Sequence, residues 1–294
     1  MGLDLGRGRW RTLSASVAGT AHARAGHPCA DASAVRVLPG SKGASLLVAV
    51  AADGAGTSAR APEGARLACE AIQEQAELWA DGSRPRARGA RRGRPRRTTA
   101  PHDLGAFARE DVLRFVAAAQ ARIHEASRCE GLDPRDFSCT LLVALVDERT
   151  AVFFQIGDGA IVYQAEDGSY VPALWPQSGE YANCTWFLTD AQAASRVQLA
   201  RARGVHELAL LTDGLQGLAL RYVSREAHGP FFAPMFSRLR REPAARPRRL
   251  AGELRSFLDS PAVNQRTDDD KTLVLATRLG AARRAMRDAE RAAG

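Results

Sequence analysis

The 294-residue sequence predicts an α+β fold in which two packed sheets are covered by helices. Three observations lead there. The apolar period changes along the chain, giving the order strands, two helices, strands, helix, strand. The β-rich runs between Ser138 and Gln164 are joined by links of three or four residues, too short for the crossover of a parallel βαβ unit. The continuous apolar run Ser45 to Ala52 has the length of a strand buried on both faces.

Thr12 to Ala18 alternates loosely and reads as a first strand. A run over Ser33 to Val37 and the apolar Ser45 to Ala52 follow. From Pro62 to Trp79 the apolar residues Ala65, Ala68, Ile72, Ala76 and Trp79 recur at helical steps, with Pro62 in the first turn. Val112, Phe115, Ala119, Ile123 and Ala126 repeat that spacing, and Gly131 stands near the stop. Ser138 to Val146, Ala151 to Ile156 and Ala160 to Gln164 then read as an antiparallel meander. Glu207 to Leu211 and Thr272 to Thr277 read as strands with a helix, Leu250 to Leu258, between them. Leu279 to Ala293, rich in Arg and Ala, reads as a surface helix.

The net charge of +8 is local. Eight arginines between Arg84 and Arg97 account for all of it, in a Gly/Pro/Arg run with no aromatic to stack on a base. That run reads as a disordered insertion at about 81–103, which argues against nucleic acid as a partner. The longest wholly apolar stretch, Leu46 to Ala52, has seven residues, so no membrane span and no cleaved leader are expected. Cys29, Cys69, Cys129, Cys139 and Cys184 are odd in number and form no Cys-x-x-Cys pair, which fits a reducing cytoplasm.

Five Asp-Gly pairs occur, and such a pair is by default a tight turn. Asp53, Asp158 and Asp213 differ from Asp81 and Asp167 because each directly follows an apolar or β-rich run. Asp268, Asp269 and Asp270 sit just before the strand at Thr272, and Asp31 precedes Ser33. If these acids converge, their repulsion calls for hard divalent cations, and an oxygen-only donor set favours Mg²⁺ or Mn²⁺ over zinc. Turn and cap aspartates are the alternative.

The motifs ADGAG (Ala52 to Gly56), IGDGAIV (Ile156 to Val162), LTDGL (Leu211 to Leu215) and DDKT (Asp269 to Thr272), with HPCADA (His27 to Ala32) upstream, resemble a family. It is the metal-dependent type 2C (PPM) serine/threonine protein phosphatases, in a bacterial branch. The resemblance spans about Thr12 to Arg278. It implies a central antiparallel β-sandwich flanked by helices in α-β-β-α layers, with residues 1–278 as one catalytic domain. It also implies that Asp53 bridges two metals, that the Gly54 carbonyl binds the second, and that Asp213 and Asp269 hold the first. Asp31 would reach the second metal through water, and Asp158 a looser third. Asp53, Asp213 and Asp269 are thereby the catalytic carboxylates, around Mn²⁺ or Mg²⁺, two ions or three. A water between two such cations has a lowered pKa and is ready for in-line attack on phosphorus, so no protein nucleophile is needed.

Three positions depart from the family pattern. Ala30 replaces an acid, Gly26 stands where relatives carry a phosphate-binding arginine, and Ala55 where some carry a histidine general acid. Arg24 and His22, close to the vacant arginine position, are the candidate substrate-binding residues. The segment Trp175 to Thr189 reads as a substrate-side flap or a pinned surface loop. The expected partner is a phosphoprotein, the target of a cognate Ser/Thr kinase. Hydrolysis of a small phosphoester is the rival activity, and a catalytically weak module that binds a phosphoprotein or partner is the rival from another class.

Overall fold

The computed structural model describes residues 10–39, 45–82, 103–177, 185–241 and 247–279. The arginine run, Cys184 and the helix expected from Leu279 onward lie outside these residues, except for Leu279 itself. The strands are β1 Trp10–Val17, β2 Ala32–Pro39, β3 Ser45–Ala52, β4 Leu141–Val146, β5 Thr150–Ile156, β6 Ala160–Gln164, β7 Tyr170–Leu174, β8 Gln198–Arg203, β9 Glu207–Leu211, β10 Leu220–Arg221, β11 Glu226–Ala227 and β12 Lys271–Arg278. The helices are α1 Thr20–Ala25, α2 Ala61–Ala80, α3 Arg109–Glu130, α4 Ala193–Arg196, α5 Gln216–Ala219, α6 Gly229–Arg241, α7 Pro247–Leu258 and α8 Pro261–Asn264.

Two five-stranded sheets form, in the orders β1-β12-β9-β6-β7 and β2-β3-β4-β5-β8, and every pairing in them is antiparallel. The period of two explains why β3 is apolar throughout. Leu47, Ala49 and Ala51 face the space between the sheets, where they join Leu142, Phe153, Leu208, Leu210 and Val274. Val48, Val50 and Ala52 face the other way, into a core built with Ile72 of α2 and Val112 and Phe115 of α3. On the far side Leu211, Leu273 and Leu275 meet Phe232 and Phe236 of α6 and Leu250 and Leu254 of α7. The result is the expected α-β-β-α layering, with three apolar layers between four structural ones. Each fully buried Leu, Val or Phe contributes about 1.5–3 kcal/mol.

Helix ends follow local chemistry. Pro62 sits in the first turn of α2, and α3 stops at Gly131, whose φ of 68° is left-handed. α1 stops in the same way at Gly26, with φ 72°. An arginine there would be strained, so the left-handed end of the short helix itself accounts for the glycine at this position. Among the described residues no helix is long and apolar enough to cross a membrane.

Candidate metal centre

The register of the two sheets brings the acids to one end of the sandwich. Ala32 pairs with Ala52, so Asp31 and Asp53 leave β2 and β3 side by side. Leu211 pairs with both Leu273 and Ala160, which sets Asp213 next to Asp269 on one side and Asp158 on the other. Asp158 lies in the link where the chain passes from one sheet to the other. Carboxylate oxygens of Asp53, Asp158 and Asp213 all lie within 4.8 Å of one another.

Each acid is braced. The Asp53 N–H donates to Thr140 Oγ1 at 3.0 Å, and its carbonyl accepts from the Thr140 N–H at 2.8 Å. Asp31 Oδ2 accepts from Thr212 Oγ1 at 2.7 Å, and the same hydroxyl accepts the Thr272 N–H at 3.0 Å, tying LTDGL to DDKT. The Asp158 carbonyl accepts from Gln216 Nε2, and Gln177 Oε1 accepts the preceding Gly157 N–H at 2.6 Å. A Cβ on Gly54 would come within 2.7 Å of the Ala30 carbonyl, so only glycine lets the Asp53 turn lie against the first acidic loop.

Asp269 and Asp270 divide into two roles. Asp270 is buried, and its carboxylate accepts the Gly19 and Ala30 N–H groups at 2.6 and 2.5 Å and meets His22 Nδ1 at 2.9 Å. It fastens α1 and the first acidic loop to the start of β12. Asp269 is exposed and accepts the Asp270 N–H at 2.8 Å. His22 is thus turned toward Asp270, whereas Arg24 is exposed on the same short helix.

Electrostatics show what the cluster lacks. Burial, and then the charges of Asp31 and Asp213, hold the Asp53 carboxyl well above the usual carboxylate range. Burial pushes Asp31 up to about 7 against the opposing hydrogen bonds of Thr212 and Thr272. Burial, and then the charges of Asp269 and Asp158, push Asp213 up to about 6, and burial raises Asp158. Asp31 Oδ1 and Asp158 Oδ1 are buried without a hydrogen-bond partner among the described residues. Converging, partly desolvated carboxylates with free lone pairs, and with no ion pair to a basic side chain at Asp31, Asp53, Asp158 or Asp213 among the described residues, fit a hard divalent cation. Cys69 and Cys139 do not compete for that role: burial raises both thiols, and Asp53 raises Cys139 further.

The structure brings Asp31, Asp53, Gly54, Asp158, Asp213 and Asp269 to one place. Thr140, Gln177 and Gln216 are supporting residues that sequence reasoning missed, and it gave no supporting role to Thr212 or Asp270, which lie inside LTDGL and DDKT. Thr212, directly before Asp213, and Asp270, inside DDKT, are the traces that they leave in the sequence.

A family model described as protein phosphatase 2C matches residues 18–259. The chain is 36% identical over 270 residues to serine/threonine-protein phosphatase 3 of Escherichia coli K12, covering 91% of this chain and 98% of that one. Among solved structures, it resembles serine/threonine phosphatase Stp1 of Staphylococcus aureus, with TM-score 0.57, 13% identity and coverage of 92% and 95%. It also resembles PppA, a regulatory component of the type VI secretion system in Pseudomonas aeruginosa, with TM-score 0.57, 15% identity and coverage of 95% and 100%. These two likenesses concern the fold.

Proposed function

The chain belongs to the protein phosphatase 2C family and is a metal-dependent serine/threonine protein phosphatase; from that premise we propose which residues perform the reaction and with which ions. Asp53, Asp213 and Asp269 hold the catalytic cations, Asp31 and the Gly54 carbonyl complete the second position, and Asp158 serves a third. The ions are Mn²⁺ or Mg²⁺, as an all-oxygen donor set favours. The observation that carries this reading is the approach of the Asp53, Asp158 and Asp213 carboxylates to within 4.8 Å at the mouths of strands from both sheets.

Bound divalent cations supply an activated water for in-line attack at phosphorus and offset the charge of the phosphoryl oxygens. The rest is done by the chain. Thr140 clasps the Asp53 backbone from both sides, so the carboxylate is aimed by the start of β4 and not by a free loop. Thr212 orients Asp31 and leaves its other oxygen, Oδ1, free to serve as a ligand. Asp270 holds Gly19, His22 and Ala30, which fixes α1 beside the centre and presents Arg24 on its exposed side. We assign the substrate phosphate to Arg24, with His22 as a positioning residue held by Asp270. Ala55 has no proton to give, so no side chain at that position protonates the leaving alkoxide.

We further propose a signalling role in the cytoplasm, opposite a Ser/Thr kinase. The free thiols of Cys29, Cys69, Cys129 and Cys139 support that compartment. The test is release of phosphate from a phosphothreonine peptide with Mn²⁺ and with chelator. Turnover that appears with Mn²⁺ and disappears with chelator is expected, and metal-independent turnover would refute the assignment.

A further inference from the structure

We propose that a cavity beside the β10–β11 hairpin is a docking subsite for acidic side chains of the phosphoprotein substrate, near the phosphorylated residue in its chain; this rests on the phosphatase reading above. The cavity has a volume of about 350 Å³, with Leu218, Leu220 and Phe231 on its apolar side and Arg221, His228 and Arg266 on its polar side.

Its charge is uncompensated. Arg221 Nε donates to His228 Nδ1 at 3.1 Å, and neither Arg221 nor Arg266 forms an ion pair among the described residues. Glu226, opposite Arg221 in the hairpin, accepts instead from Ser224 Oγ at 2.8 Å. Some other surface arginines are paired, Arg60 with Glu63 and Glu130, Arg66 with Glu70, Arg122 with Glu74 and Arg238 with Glu253, so their charge is already met where that of Arg221 and Arg266 is not. Apart from the eight arginines between Arg84 and Arg97 the positive and negative charges of the chain balance, and two unpaired guanidinium groups around one cavity form a local positive site. A guanidinium fork suits a carboxylate, and the apolar side suits the methylenes of glutamate.

Its place fits the same occupant. Arg266 stands three residues before Asp269, and Gly217, also on the cavity wall, four after Asp213. With consecutive Cα atoms about 3.8 Å apart, the two lie within about 11 and 15 Å of the respective aspartates. An extended peptide advances about 3.3 Å per residue, so an acid three or four positions from the phosphorylated residue spans that distance.

The test uses the full chain with Mn²⁺ and three phosphothreonine peptides. One has glutamates three and four positions before the phosphothreonine, one has them after it, and one has alanines at all four places. One glutamate peptide should exceed the alanine peptide in kcat/KM by about three- to tenfold, the worth of two exposed charge pairs. That ratio should fall toward one in Arg221→Glu/Arg266→Glu and at high salt, and Arg266→Ala alone should remove part of it. Equal rates on the three peptides, or a preference that survives the double reversal, would overturn the proposal while leaving the phosphatase reading intact. No turnover of any peptide would overturn both.

Discussion

Replacing Asp31 with asparagine should make the metal-free protein more stable at pH 8 and remove the share of its pH dependence that this carboxyl carries beside Asp53, Asp158 and Asp213. The Asp31 carboxyl is pushed up to about 7 from an ordinary value of 3.8, first by burial. The folded state therefore binds this proton more tightly than the unfolded chain does. The corresponding stability is fully present below pH 3.8 and is lost as pH rises through about 7. Between pH 5 and pH 8 that amounts to about 2–3 kcal/mol, or about 5 °C in Tm. The assay is thermal unfolding in chelator at several pH values, for wild type and Asp31→Asn side by side. The difference between them cancels groups such as His206, whose pKa burial lowers and which acts in the opposite sense. Saturating Mn²⁺ should reverse the wild-type slope, because the cation then competes with the proton. If wild type and Asp31→Asn show the same slope in chelator, Asp31 is not a desolvated carboxyl and the electrostatic account of the centre fails.

Asp53→Asn should lower kcat by about a thousandfold or more, because it weakens the site of both cations, whereas Asp158→Ala should cost about tenfold; steady-state kinetics on a phosphopeptide decide between them. Thr140→Val should cost about 1–3 kcal/mol in chemical denaturation by leaving the Asp53 N–H unpaired, and should lower activity more than its stability loss explains. Arg24→Ala should raise KM several-fold with little change in Tm, while His22→Ala should lower Tm by loosening α1 from Asp270. The reverse pattern would move the phosphate contact to the histidine.

Much of this architecture was legible because the buried strands announce themselves. Ser45 to Ala52, Ala160 to Gln164 and Glu207 to Leu211 are strands with the bounds that their apolar runs suggest. The edges were not. β8 reads QLARAR, with arginines breaking the apolar pattern because the strand closes one sheet, and β7 carries Pro172, which an edge strand tolerates. α6 was hidden by Pro234 inside it, although Phe231, Phe232, Phe236 and Leu239 bury a helical face. Within the centre the Asp-Gly pairs at strand ends were visible. The division of labour between Asp269 and Asp270 was not visible, because burial and hydrogen bonds, which separate neighbouring identical residues, are properties of the folded chain.

The central claim is that one cluster of carboxylates holds the catalytic cations, and counting bound Mn²⁺ by equilibrium dialysis tests it most directly. Wild type should bind at least two ions per chain, and Asp53→Asn should lose affinity for both together, since both depend on that residue. Binding of Mn²⁺ by Asp53→Asn with the stoichiometry and affinity of wild type would contradict the account.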